Sequence, residues 1–374
     1  MSRSAICAIC LNSRLLLIAR SSHSPCAEGL ALFVGGLGGR RRPRACPTTH
    51  DSLQAANLGT ASPGVATRHA AGVRHEIRER LRRFQGEAVQ CTWENGRMYL
   101  ALNSVLIGGR VGWPEFARLA ARVGYPGTDV DLSAAMKAGV AATTALLEEL
   151  RIKPAAVNFP VEFRKDDATF ARDLERLADQ SSFASAIGCP RMITWIMPSS
   201  KTPKAELRAL YLKRFRAAAD VLARSHVRLG LEFLGPLHLR RMEPNEFIWR
   251  MPEMLAFARE CGSNVGLLLD VWHWHHAGAT TDDIIKAGKD GIVHVHFNDA
   301  PKLPPEQIRD DERLLPGDGV IDLVGFLRAL KEIRYEDGLS IEVFGKFLAK
   351  MTPEEAARRG LEGGRAVMKK AGVA

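Results

Sequence analysis

The sequence has no apolar run long enough to cross a bilayer as a helix. Its nearest approach, GLALFVGGLGG (Gly29 to Gly39), is short and broken by glycine, whereas a spanning helix needs roughly 18 apolar residues. No membrane partner is expected. Lysine is absent from residues 1–97, which hold fourteen arginines and six acids and so carry +8 of the chain's net charge of +10. A basic balance of that size ordinarily points to nucleic acid. Its confinement to one end argues against such a partner for the rest of the chain. Cysteine is scarce beyond residue 97, where only Cys189 and Cys261 occur; that suits a reducing compartment, and the cytoplasm is expected. Cys7 and Cys10 form a lone CxxC with no second pair at zinc-finger spacing. Histidine is missing from Met98 through Ser225.

Residues 1–97 show little sustained periodicity. GGRRRPRACPTTH mixes chain breakers with arginine, and only VRHEIRERLRRF (Val73 to Phe84) has the pattern of a helix. The segment is read as a low-order extension, with Met98 as a plausible start of the native protein. From Met98 onward the pattern changes. Short apolar runs, YLALNSV, GTDVDL, AAVNFP, RMITWI, RLGLEF, VGLLLD, IVHVHF and LSIEVF, alternate with stretches of helical spacing such as WPEFARLAARVG and DLVGFLRALKEI. Nearly continuous apolar strands separated by helices indicate a parallel sheet buried on both faces. Eight such units over residues 98–374 fit a (β/α)8 TIM barrel. A doubly wound open sheet is the alternative, but no G-x-G-x-x-G follows the first run.

A barrel of this kind builds its active site where strands end and loops begin. Read at those ends, the last four runs give Glu232, Asp270, His296 and Glu342. Three carboxylates converging in one mouth repel one another unless a cation lies between them. Oxygen-dominated ligation with one imidazole favours one divalent cation, Mn2+ first, with Mg2+, Co2+ or Zn2+ as alternatives. Such an ion can polarise a carbonyl and its neighbouring hydroxyl and stabilise an enediolate. With a glutamate on each side, Glu232 and Glu342 can remove a proton from one face and return it to the other, as an epimerase does, or to the adjacent carbon, as an isomerase does. Asn103 and Asn158, near the ends of the first and third strands, are placed to reach substrate hydroxyls. Trp272 is read either as a wall on which a sugar stacks or as packing under the loop, and Asp299 as either a substrate contact or a loop cap.

The pieces GLEFLGP, LLLDVWHWHHAG, IVHVHFNDAP, LPGDGVIDL and SIEVFG resemble the xylose isomerase-like TIM barrels, the sugar phosphate isomerase/epimerase superfamily, over about Met98 to Ala374. The resemblance implies that Glu232, Asp270, His296 and Glu342 hold one divalent metal, with the two glutamates as acid and base. It also implies a substrate-binding role for His273, in the family's D-x-x-H, and assembly as a homo-oligomer. Two positions depart from the family's ketose 3-epimerases. His238 stands where they carry a further glutamate, and Lys302 near where they carry an arginine. The expected substrate is a ketose, keto-polyol or sugar acid, and dehydration of an inosose from the same enolate remains open. A DNA-repair apurinic endonuclease shares the barrel, but needs strand-end histidines in the first half, where this chain has none. A non-catalytic sugar-binding barrel would have no use for two opposed glutamates.

Overall fold

The computed structural model describes residues 97–374. The expectations for residues 1–96, including the helix over residues 73–84, lie outside the described residues. Eight parallel strands close into a barrel: β1 (Tyr99–Leu102), β2 (Gly127–Val130), β3 (Lys153–Asn158), β4 (Arg191–Ile196), β5 (Arg228–Phe233), β6 (Val265–Asp270), β7 (Ile292–Phe297) and β8 (Gly338–Ile341). Each pairs with its sequence neighbours, and β1 closes the ring against β8 with Leu100 opposite Leu339 and Leu102 opposite Ile341. The main helices between and after them are α1 (Glu115–Val123), α2 (Val140–Leu150), α3 (Asp167–Ala186), α4 (Lys204–Ala223), α5 (Met251–Cys261), α6 (Thr281–Gly291), α7 (Leu323–Glu332) and α8 (Pro353–Ala371). No helix among the described residues is long and apolar enough to cross a membrane.

Two apolar layers result from the strand alternation. Outward-facing residues such as Leu100, Leu102, Val157, Met192, Leu229, Leu231, Leu267 and Leu269 join the helices in one large core. Inside the barrel, Tyr99, Ala101 and Ala155 form one small apolar cluster and Ala156, Ile193 and Leu268 another. The space there is fully used. A Cβ on Gly127 would lie 2.5 Å from the Tyr99 ring, and one on Gly338 would lie 3.0 Å from Ala155 and 3.2 Å from Tyr99. Glycine at both positions is what lets the strands close around that ring.

Three strands end sooner than their apolar runs suggest. β1 stops at Leu102 because the Asn103 side chain accepts a hydrogen bond from Val105 N and caps a short 3-10 turn, Ser104–Ile107. β2 stops at Val130 because Asp131 caps the short helix Leu132–Ala138, accepting from Ala134 N. β8 stops at Ile341, so Glu342 sits one residue beyond it. β3 starts at Lys153, before the apolar residues that announce it.

Candidate active site

A step of two along each strand moves an inward-facing residue one layer toward the rim. Gly230 leads in this way to Glu232, Leu268 to Asp270, His294 to His296 and Ser340 to Glu342. The same step on the other half gives Asn103, Asp129, Asn158 and Trp195. The structure brings Glu232, Asp270, His296 and Glu342 together, with one ligand atom from each lying within 4.8 Å of the others. His296 Nδ1 lies 3.1 Å from Glu342 Oε2, 3.6 Å from Glu232 Oε1 and 3.8 Å from Asp270 Oδ2. Among the described residues, Glu232 Oε1 and both nitrogens of His296 are buried with no hydrogen-bond partner. Buried polar atoms are seldom left so. Three carboxylates and an imidazole, with Glu232 Oε1 and His296 Nδ1 unengaged, fit a divalent cation.

The cluster also contains a cation of its own, which the sequence reading missed. Arg313, 2% exposed along its side chain, reaches in from the loop after β7, and its Nη1 donates to Asp270 Oδ2 at 2.5 Å and Glu342 Oε2 at 2.9 Å. Its Nη2 donates to Asp310 Oδ1 and sits 3.1 Å from His273 Nε2. The guanidinium packs against the Phe344 ring at 4.7 Å and lies 5.7 Å from that of Trp272. Burial opposes its charge, but Asp270, Asp310 and Glu342 outweigh that and hold its pKa above the ordinary value. Asn298 completes the support: its amide donates to Asp270 Oδ1 and to the Glu342 carbonyl.

The two glutamates sit in different fields. Burial, reinforced by the charge of Asp270, pushes the Glu232 carboxyl up to about 8. Burial would raise Glu342 as well, yet His296 and Arg313 prevail and hold it down to about 2. Burial disfavours a charged His296, but Glu342 and Glu232 beside the ring keep its pKa well above the ordinary value. Burial, followed by the Arg313 charge, drives His273 the other way, well below its ordinary value, so its imidazole is neutral.

Residues expected to touch substrate separate into two groups. His273 is buried against Arg313, and its Nδ1 accepts from Gly235 N at 3.4 Å. His238, half-buried on the turn Leu237–Arg240, keeps an unpartnered buried Nδ1 and adds to the positive field at His273. Asn158 is exposed at the end of β3. Asp299 and Trp272 follow the second of the two readings given for each, loop cap and packing under the loop, while Lys302 and Asn103 depart from expectation. Asp299 is 1% exposed, and its carboxylate accepts from Ala300, Gly317, Gly319 and Ile321 N, which makes it the clasp of the loop after β7. Lys302 is exposed, and the basic group beside the carboxylates is Arg313. Trp272 is fully buried, with its ring edge-on to His276 at 4.4 Å, so it offers no open face to a sugar. Asn103 uses both ends of its amide, accepting from Val105 N and donating to Asp129 Oδ2 at 2.8 Å.

Asp129 went unread in the sequence, where it stands in the middle of the run GTDVDL; β2 stops at Val130, which leaves it one residue from the strand end, as Glu232 is in β5. It also accepts from Ser340 Oγ at 2.7 Å, and burial pushes its carboxyl up to about 6. His294 lies one layer below His296 with its Nε2 2.8 Å from Ser340 Oγ. Arg313 had no local signal to find it by, being separated from Asp270 by 43 residues and from Glu342 by 29.

A family profile described as "Xylose isomerase-like TIM barrel" matches residues 117–370. The inosose isomerase of Bacillus licheniformis is 28% identical over 213 residues, which span 56% of this chain and 74% of that protein. Among solved structures, a xylose isomerase domain protein from Alicyclobacillus acidocaldarius superposes with a TM-score of 0.69 at 29% identity, covering 74% of this chain and 99% of the other. A protein named IOLI, solved with a bound zinc atom, superposes with a TM-score of 0.63 at 23% identity over 73% of this chain and 99% of its own. At that identity the likeness is one of fold.

Proposed function

Because the chain belongs to the xylose isomerase-like TIM barrels, we propose that it is a divalent-cation-dependent isomerase or epimerase acting on a ketose, keto-polyol or sugar acid. The observation that carries this reading is the convergence of Glu232, Asp270, His296 and Glu342, from four consecutive strands, with Glu232 Oε1 and both His296 nitrogens unengaged. These four residues would hold the ion, which when bound polarises a substrate carbonyl and its neighbouring hydroxyl. The zinc atom bound in the IOLI structure, which shares this fold, supports a divalent ion. Three oxygen donors and one nitrogen lead us to expect Mn2+ first.

Glu232 and Glu342 then move the proton. Paired carboxylates whose surroundings push their pKa values apart divide the acid and base roles between them. Glu342, held ionised by His296 and Arg313, is the base that would take the proton from one face of the carbon. Glu232, which lacks a guanidinium contact and keeps a proton near neutral pH, is the acid that would give one to the other face. Asn158 reaches a substrate hydroxyl from the other side of the mouth, while His273, kept neutral, has its two nitrogens against Gly235 N and Arg313 Nη2. The burial of Trp272 and the Asp299 clasp hold the surrounding loops in place and keep bulk water from the carboxylates.

The test is a screen of ketoses and inososes in D2O with Mn2+, following deuterium incorporation and product formation by NMR. Exchange at one carbon is expected, accompanied by isomer or epimer and lost by at least about a hundredfold in Glu232→Gln and in Glu342→Gln, since a positioned acid or base contributes ~10²–10⁴ in rate. Exchange that stays at full rate in either variant would show that the two-base mechanism is wrong. Release of a dehydrated product would identify a lyase instead.

A further inference from the structure

Beside and below the four-residue cluster lies a second set of buried polar groups, which the mechanism above leaves without a task. Asn103, Asp129, Ser340 and His294 form a chain of contacts across β1, β2, β8 and β7, where the barrel closes. Its direction can be read from the donors. Asn103 Oδ1 accepts from Val105 N, so its amide NH2 is turned to Asp129 and donates to Oδ2. Ser340 has one hydroxyl proton, and donates it to Asp129 Oδ1. Ser340 Oγ can therefore only accept from His294 Nε2, which puts the proton of that neutral imidazole on Nε2 and leaves Nδ1 as a bare acceptor. His294 is fully buried and its Nδ1 has no partner.

Above it stands His296, its ring perpendicular to that of His294 with centroids 5.7 Å apart. His296 Nδ1 is the nitrogen nearest the three carboxylates. Its other nitrogen, Nε2, is buried without a partner. Asp129, His294 and His296 each bring one donor or acceptor atom within 4.8 Å of the others. A histidine that binds a cation through one nitrogen must keep its proton on the other, and normally donates it to a fixed acceptor.

We infer that Asp129 is a positioning residue which acts through Ser340 and His294: the relay presents an acceptor to His296 Nε2–H and so fixes the ring with Nδ1 toward the cation. This rests on the cation-binding reading of the four rim residues. Asp129→Asn tests the direction of the relay at constant shape. The Asn103 NH2 still demands an acceptor, so the new amide must turn its oxygen there and its NH2 to Ser340. Ser340 then accepts from position 129 and donates to His294 Nε2, which drives the His294 proton to Nδ1. Two N–H groups would then face each other between His294 and His296.

The experiment uses the full chain at pH 7.5. Long-range 1H–15N spectra of the cation-free protein report the His294 tautomer, with its signals assigned by their loss in His294→Gln. Calorimetric titration with Mn2+ alone reports cation affinity, and circular dichroism reports folding. The wild-type protein is expected to show His294 protonated on Nε2. Asp129→Asn is expected to show it on Nδ1 and to bind Mn2+ at least about tenfold more weakly, in keeping with the ~10–100-fold effects of such supporting groups. Ser340→Ala, which cuts the relay without adding a group, should also weaken Mn2+ binding and serves alone if Asp129→Asn does not fold. Unchanged Mn2+ affinity in the folded variants overturns the inference, whatever the tautomer. Failure of the wild-type protein to bind any divalent cation overturns the proposed function instead, and the inference with it.

Discussion

The two halves of the barrel rim are built from the same strand geometry and carry opposite chemistry. From β5 to β8 the rim presents Glu232, Asp270, His296 and Glu342, laced together by Arg313. From β1 to β4 it presents Asn103, Asp129, Asn158 and Trp195, with the Arg164 guanidinium 4.0 Å from the Trp195 ring centroid. One half concentrates buried charge and therefore needs cations, because a buried carboxylate without a partner is costly. The other half is mostly neutral, with the exposed Asn158 amide as its free polar group. Under the proposed function the difference would divide the work: the second half would hold the ion and move protons, and the first half would face the rest of the substrate.

The sharpest way to break that division is Asp270→Ala. Asp270 is fully buried at the centre of the charged half. Its loss should abolish Mn2+ binding in calorimetry and turnover with it; retained binding would place the ion elsewhere. Arg313→Met comes next. Removing one partner of a buried ion pair costs ~3–5 kcal/mol, so thermal unfolding in chelator should shift clearly downward. Added Mn2+ should recover part of that loss by replacing the missing positive charge. A variant as stable as wild type in chelator would mean that Arg313 does not neutralise the carboxylates.

The third effect is one of pH. In cation-free protein the folded-state pKa of Glu232 is raised to about 8 and that of His296 lies well above its ordinary value. Between the ordinary and the raised values the folded state binds protons that the unfolded state does not, so these groups stabilise the fold at low pH and that stability is lost as pH rises toward 8. A divalent cation replaces those protons. Its gain in melting temperature should be larger at pH 8 than at pH 6, and equal gains would show that cation and protons do not compete for the same atoms. The smallest effect belongs to the neutral half. Asn158→Ala should raise KM several-fold, as expected for the loss of about 1 kcal/mol of hydrogen bonding, while leaving Mn2+ affinity unchanged. A change in Mn2+ affinity would remove the distinction between the halves.

Much of this was legible in the sequence, for physical reasons that can be named. A strand buried on both faces is apolar throughout, so an acid or histidine near its end stands out, and Glu232, Asp270, His296 and Glu342 were found in that way. Asp129 was passed over because the run GTDVDL was read as continuing to Leu132, which puts Asp129 in its middle, whereas the strand stops at Val130. Asp299 was left open between substrate contact and loop cap because an acid in a loop after a strand end looks the same for both in one dimension. Its four backbone donors lie up to 22 residues further along and are brought to it only when the loop folds back.

The sequence by itself determined the repeating strand and helix pattern, the barrel and the acids and histidine at its rim, because side-chain period and burial are local and each strand carries its own record of them. Tertiary structure alone decided which charges meet. Arg313 reaches Asp270 and Glu342 from a distant loop, and Asp129 reaches His294 through Ser340 across the barrel seam. Such contacts depend on how the ring closes, since hydrogen bonds and ion pairs act over a few ångströms whatever the separation along the chain.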